Sequence, residues 1–269
     1  MEKIERTAKA WLEPIARAGY ASKGFVYFLI GILAVMAAFN LGGRIAGPQE
    51  ALQSLQPKAF GKAMLAVVGV GLCCYAVWRM AQAIYDPDGK GKKPKGLVMR
   101  AGYFGSGIIH GLLAWAVFEM ITGGSGSAGA TDEQGLTARL MSQPLGIWLV
   151  GLVGLIIAGI GSYHIFRGIT GRFKKRLNFS SLSEKTRALF CRTCQFGLIA
   201  RGFVFCITAW FFIRSALNYN PQEAGGLPEA LAFVAAQSYG PWLLAAMGLG
   251  LAAYGIYAFV EARFRRINI

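Results

Sequence analysis

Gly19-Tyr20-Ala21-Ser22-Lys23-Gly24-Phe25-Val26-Tyr27 decides the fold, because the chain repeats it twice more. Gly102-Tyr103-Phe104-Gly105-Ser106-Gly107-Ile108-Ile109-His110 keeps the glycine spacing and the closing ring. Gly197-Leu198-Ile199-Ala200-Arg201-Gly202-Phe203-Val204-Phe205 does so again. Self-similarity at a fixed spacing marks a repeat architecture in which each copy is one supersecondary unit. Each copy also opens an apolar stretch. About 20 mainly apolar residues cross the roughly 30 Å of bilayer hydrocarbon, and 24–43, 101–118, 140–166 and 231–260 contain no Asp, Glu, Lys or Arg. A further span over 61–85 is interrupted by Arg79 near its end. The fifth has only 202–213 between Arg201 and Arg214, and the repeat identifies it as a span. Both arginines read as residues near helix ends that snorkel to the interface.

The even spans align as well. Gly61, Gly146 and Gly240 open them, Gly69, Gly154 and Gly248 follow eight residues on, and Trp78, Tyr163 and Tyr257 stand in register near the other end. Before each lies a short segment, Glu50-Ala51-Leu52, Glu133-Gln134-Gly135-Leu136 and Glu229-Ala230-Leu231, whose acidic residue suits a helix N-terminus. The expected fold is all-α: a polytopic membrane bundle of six transmembrane helices in three parallel two-helix repeats, arranged pseudo-threefold, with short helices lying on the outer leaflet. The expected units are an N-terminal amphipathic interfacial helix over 1–16 and three repeats. Repeat 1 covers 17–88 (spans 20–41 and 61–85), repeat 2 covers 97–176 (spans 100–121 and 145–168), and repeat 3 covers 189–265 (spans 194–217 and 239–262). Two spans per repeat insert all three copies in the same direction, so rotation about the membrane normal relates them.

Composition agrees. Only 15% of the residues are charged and the mean hydropathy is +0.45, whereas soluble domains carry about 25% charge. The net charge of +15 does not indicate nucleic acid, because the bases sit in short runs between apolar stretches. Of the 28 lysines and arginines, 23 fall on the side of the termini, which places both termini in the cytoplasm and the protein in the inner membrane. The 1–20 stretch is charged and amphipathic, unlike a cleaved signal peptide. Cys73, Cys74, Cys191, Cys194 and Cys206 form no disulfide framework. Cys191-x2-Cys194 has no second ligand pair for zinc, so neither a metal nor another cofactor is expected.

The Gly-x4-Gly openings with Lys or Arg, the Tyr or Phe behind them and the triplication resemble a bacterial membrane family, domain of unknown function 1206. The resemblance covers nearly all of 11–265. Gln195 in the third copy, where the others have Arg17 and Arg100, and Ser106 in the second, in place of a base, depart from the pattern. The resemblance implies a multi-pass inner-membrane protein and lends no activity.

Candidate sites are sparse. Gly24, Gly31, Gly107, Gly111 and Gly202 read as helix-packing positions, since small residues let membrane helices approach. His110 falls near the bilayer midplane, where an ionisable group is a functional hypothesis by default. It also occupies the slot of Tyr27 and Phe205, so a neutral ring filling an aromatic position is the competing account. Glu119 and Arg214 share one repeat position and are expected to pair across repeats. Arg79, Gln82, His164 and Arg167 would anchor the inner interface or line a basic inner vestibule attractive to anions. Ser181-x-x-Glu184 reads as a capping box opening another short cytoplasmic helix toward Leu189 and Phe190. The 90–95 and 172–176 clusters would meet anionic lipid headgroups. No carboxylate pair or nucleophile–base set lies in the spans, so an enzyme fits worst. The expectation is a non-catalytic protein that organises the membrane or binds lipids or partners, with a small-molecule or ion transporter centred on His110 as the alternative.

Overall fold

A computed structural model of the chain describes residues 2–123, 133–180 and 182–267. Six long helices, α1 (Glu2–Ala38), α3 (Gly61–Tyr85), α4 (Pro94–Thr122), α6 (Gly146–Thr170), α7 (Glu184–Leu217) and α9 (Gly240–Phe264), are long and apolar enough to cross a membrane. Three short helices, α2 (Pro48–Gln53), α5 (Glu133–Met141) and α8 (Leu227–Ala235), precede the even spans. The chain is therefore a multi-pass helical membrane protein of three tandem hairpins.

Local chemistry sets the boundaries. Asp86 is left-handed (φ 52°) and Pro87 follows it, which ends α3. Pro94 fits the first turn of α4, where its missing N–H costs nothing, and Gly171 (φ 63°) closes α6. The Glu50 and Glu229 carboxylates accept from the Gly47 and Gly226 N–H groups at 2.8 and 2.7 Å, as their placement in the first turn suggests. Ser183 caps α7, its hydroxyl accepting from the Thr186 N–H; Ser181, the serine of the expected capping box, lies outside the described residues.

Three expectations need correction. The N-terminal segment is not a separate interfacial helix, because α1 runs unbroken for 37 residues through Pro14. The side chains of residues 2–10, on which part of its amphipathic face depends, are outside the description. The helix before Cys191 likewise continues directly into the fifth span. The short helices α2 and α8 do not simply lie on the leaflet, for Ala51, Leu52, Ala230 and Leu231 are completely buried in the bundle core.

Packing follows the order α4, α3, α1, α9, α7, α6, each helix against the next. The three seams between repeats are equivalent. A Cβ added to Gly24 would meet the Gly255 carbonyl oxygen at 2.9 Å, one on Gly202 the Gly161 oxygen at 2.7 Å, and one on Gly107 the Met80 methyl at 2.9 Å. Gly31 abuts Gly248 and Ala252 just as tightly, while Gly111 makes an ordinary contact with Ala76. The seams inside the repeats are not equivalent. Gly19 lies against the Tyr75 backbone (2.6 Å to an added Cβ), and Gly197 against that of Tyr254. Their counterpart Gly102 has nothing within 4 Å, and neither does Gly105, the counterpart of Ser22 and Ala200. Helices α4 and α6 form no packed interface. The pseudo-threefold bundle is thus an arc, open along one side between the two spans of repeat 2.

A basic, aromatic chamber inside the arc

Helices that pack mainly against their neighbours in the arc send side chains to a common interior. Lys23 of α1 is 4% exposed; its Nζ donates to the Tyr75 hydroxyl at 3.0 Å and lies 5.0 and 5.2 Å from the Tyr75 and Tyr254 ring centres. Arg79 of α3 donates through Nε to the same hydroxyl at 2.8 Å, with a second contact through Nη2, and through Nη1 to Gln82 at 2.9 Å. Arg201 of α7 is 9% exposed and lies 4.4–5.0 Å from the rings of Phe205, Tyr254 and Tyr27; its Nη2 donates to the Tyr27 hydroxyl at 3.1 Å. Its Nη1 is 2.8 Å from His164 Nε2 on α6. A guanidinium can only donate, so Nε2 accepts and the imidazole proton sits on Nδ1. Among the described residues, His164 Nδ1 and Arg201 Nε are both buried without a partner. Both are then donors awaiting an acceptor.

The rings explain how such charges sit in a membrane bundle. Each desolvated cation–π contact contributes about 2 kcal/mol, and two or three per cation offset the roughly 2.5–3.5 kcal/mol of placing Lys or Arg at a helix centre. Mutual repulsion is not offset that way. Lys23 and Arg79 share one phenol oxygen, so they lie within roughly 6 Å, where like charges repel by about 3 kcal/mol at an effective dielectric constant of 20. Among the described residues none of the three cations forms a salt bridge with a carboxylate.

A polar network bounds the chamber toward the end that carries the termini. Asp88 lies there between all three repeats. Its carboxylate accepts from Gln82 at 3.0 Å, Tyr103 at 3.0 Å and Arg265 at 3.1 Å, and pairs with Arg176 at 3.5 Å. Burial works against the charged carboxylate, but Arg265, Arg176, Lys90 and the Tyr103 hydroxyl outweigh it and hold the pKa below the ordinary aspartate value. Arg265 also binds Glu261 at 2.9 Å, and Arg17 donates to the Ala262 and Arg263 carbonyls. The 177–178 strip pairs with 264–266, burying Phe173 and Leu177 across this end. Toward the opposite end the core is apolar: Ile30, Ala34, Leu65, Val117, Leu52 and Leu231.

The residues expected to form a vestibule divide between these features. Arg79 and His164 belong to the chamber, and Gln82 links it to Asp88. Arg167 instead binds the Tyr257 hydroxyl at 3.0 Å. His110 stands at the chamber margin, its ring centre 4.6 Å from that of Tyr75 and its Nδ1 2.8 Å from the Ser106 carbonyl of its own helix. The Glu119–Arg214 pair is not formed. Arg214 binds Glu223 at 2.9 Å, Glu119 accepts from Trp115 at 2.9 Å, and α4 does not pack on α7. Arg201 is not a snorkelling end residue but lies mid-way along α7 among the rings of Tyr27, Phe205 and Tyr254.

The model of the family described as Domain of Unknown Function (DUF1206) matches residues 18–86, 101–171 and 196–265, one match per hairpin. The chain belongs to the DUF1206 family. It is 32% identical over 268 residues, all of this chain and 96% of the relative, to "Uncharacterized protein YxxB" of Bacillus subtilis (strain 168). No solved structure matches. Members of the DUF1206 family are thus recognised here by the triplicated hairpin, and the chamber is built from residues that this triplication brings into register.

Proposed function

We propose that this DUF1206 protein is a non-catalytic membrane protein that binds an acidic group, a carboxylate or phosphate, in the chamber formed by Lys23, Arg79 and Arg201. One observation carries the reading: among the described residues the buried Lys23 and Arg201 and the half-buried Arg79 have no carboxylate partner, and two buried N–H donors, His164 Nδ1 and Arg201 Nε, have no acceptor. Burying unpaired charge and unsatisfied donors costs several kcal/mol, and a bound anion offsets both costs at once. The apolar end opposite the termini supports binding over passage through the bundle. The 23 basic residues on the terminal side support an inner-membrane protein with both termini cytoplasmic. The exposed Lys92, Lys93, Lys95, Lys174 and Lys175 then meet anionic headgroups at that surface.

The test is thermal unfolding of the purified protein in phosphatidylcholine nanodiscs, with and without inorganic phosphate. Wild type is expected to gain stability saturably with phosphate, and the Lys23→Met/Arg201→Met variant to gain none. Equal responses of the two proteins would overturn the reading. A reporter fused to the C-terminus should be active only in its cytoplasmic form.

A further inference from the structure

The chamber is bounded at the terminal end by the polar Asp88–Arg265 contact and the 173–179 strip, and at the other by the apolar core under α2 and α8. The side between α4 and α6 is the part of its wall where no neighbouring helix is packed. That opening is a property of the second repeat's own residues. Gly71 accommodates Ser22, and Gly250 accommodates Ala200, whereas the equivalent position of α6 is Ile156, 53% exposed. Tyr75 and Tyr254 are replaced by the exposed Ile160, and Lys23 and Arg201 by the short Ser106. Half-buried His110 and His164 lie on α4 and α6, the two helices that border the opening, and His164 bonds directly to Arg201.

We infer that the acidic group reaches the chamber from the bilayer as the head of an anionic lipid, with an acyl chain lying in the seam between α4 and α6. This rests on the anion-binding reading above and adds the source of the anion. Charge complementarity selects the occupant. The seam is apolar and borders the hydrocarbon, while the interior behind it holds three cations and the unpartnered donors Arg201 Nε and His164 Nδ1. A neutral lipid or an apolar helix satisfies the first half of that surface only; an anionic amphiphile satisfies both.

The probe is a phosphatidylglycerol carrying a diazirine part-way along one acyl chain, in phosphatidylcholine vesicles, compared with a phosphatidylcholine probe bearing the same tail. The anionic probe is expected to label α4 and α6 at the seam about tenfold more than the neutral one, a ratio equivalent to roughly 1.4 kcal/mol of preference. Gly102→Leu/Gly105→Leu should abolish that preference and keep phosphate stabilisation. It should fold, since neither glycine has a neighbour within 4 Å and leucine is the better helix former. Lys23→Met/Arg201→Met should lose both responses. Equal labelling by the two probes, labelling spread evenly over all outward faces, or a filled seam that leaves the preference intact would overturn the lipid inference. Phosphate binding without anionic-lipid labelling would overturn it and leave the chamber reading standing, with a free anion as ligand. Disulfide cross-linking of Gly102→Cys between two copies would also overturn it, assigning the seam to a second chain. Failure of phosphate and lipid alike would sink both readings.

Discussion

Gly19, Gly102 and Gly197 occupy one repeat position and should respond differently to the same methyl group. A Cβ at Gly19 would sit 2.6 Å from the Tyr75 backbone, and at Gly197 it would collide with the backbone of Tyr254. Neither neighbour is a flexible side-chain end, so the helices must separate, which costs about 1–3 kcal/mol for overpacking. Replacing a helical glycine by alanine returns up to about 1 kcal/mol through the backbone. The net expectation for Gly19→Ala and Gly197→Ala is a loss of about 1–2 kcal/mol. At Gly102 the steric cost is absent, and Gly102→Ala should be neutral or gain up to about 1 kcal/mol. The assay is SDS-driven unfolding from mixed micelles, followed by far-ultraviolet circular dichroism, with the three variants side by side. A loss at Gly102 as large as at the other two would mean that α4 and α6 close as the other hairpins do, and the open arc would be wrong.

Three further outcomes follow from the polar contacts. Reversing Arg214 and Glu223 together should restore what either single reversal loses, with the exposed pair worth no more than about 1 kcal/mol; reversing Glu119 with Arg214 should restore nothing, as double-mutant cycles would show. Asp88 has a depressed pKa in the folded protein, so its contribution is complete above the unfolded aspartate value of about 3.9 and is lost as pH falls through that value toward the folded one. Unfolding midpoints in detergent should therefore be insensitive to the Asp88 charge between neutral pH and about 5 and fall below about pH 4, and Asp88→Asn should remove that step and lower the neutral-pH plateau. His110→Phe should keep stability within about 1 kcal/mol and leave phosphate binding intact, since the ring packs on Tyr75 and its Nδ1 bonds within its own helix; loss of binding would return His110 to the centre of the site.

Much of the fold was legible because hydrophobic length and repeat register are written in the sequence itself. The spans around Gly61 and Gly240 begin where their aligned glycines stand, and the packing role of Gly24 and Gly202 follows from their place in the repeated motif. Arg201 was misread for a physical reason. Counting apolar residues makes a cation look like the end of a span, whereas rings from three helices solvate this one in the middle of α7. The available signal was that Lys23 and Arg201 hold the same motif position, each four residues before a ring, with Tyr75 and Tyr254 equivalent on the even spans. The Glu119–Arg214 pair failed because equal depth is not adjacency. Their helices are not neighbours in the arc, and Glu223, nine residues beyond Arg214 in the sequence, reaches it first.

The broken symmetry also makes a prediction that the intact repeats supply. Ile156 and Ile160 stand where the two closed hairpins have glycine and tyrosine, and a branched side chain at the glycine position holds two helices apart. If that pair keeps the seam open, Ile156→Gly/Ile160→Tyr should let α6 approach Gly102 and Gly105 as α3 approaches Gly19 and Ser22. The variant should resist SDS better than wild type despite gaining a helical glycine, which alone costs about 1 kcal/mol. It should also lose anionic-lipid labelling at the seam while keeping its basic chamber. Ile156→Gly alone separates the two effects, since it opens space without restoring the tyrosine. A double variant that is less stable and still labels would mean that something other than these two side chains holds the second hairpin open. The asymmetry would then need a cause elsewhere in the arc, with the Asp88 contacts, which tie α3 and α4 to Arg176 and Arg265, the first place to look.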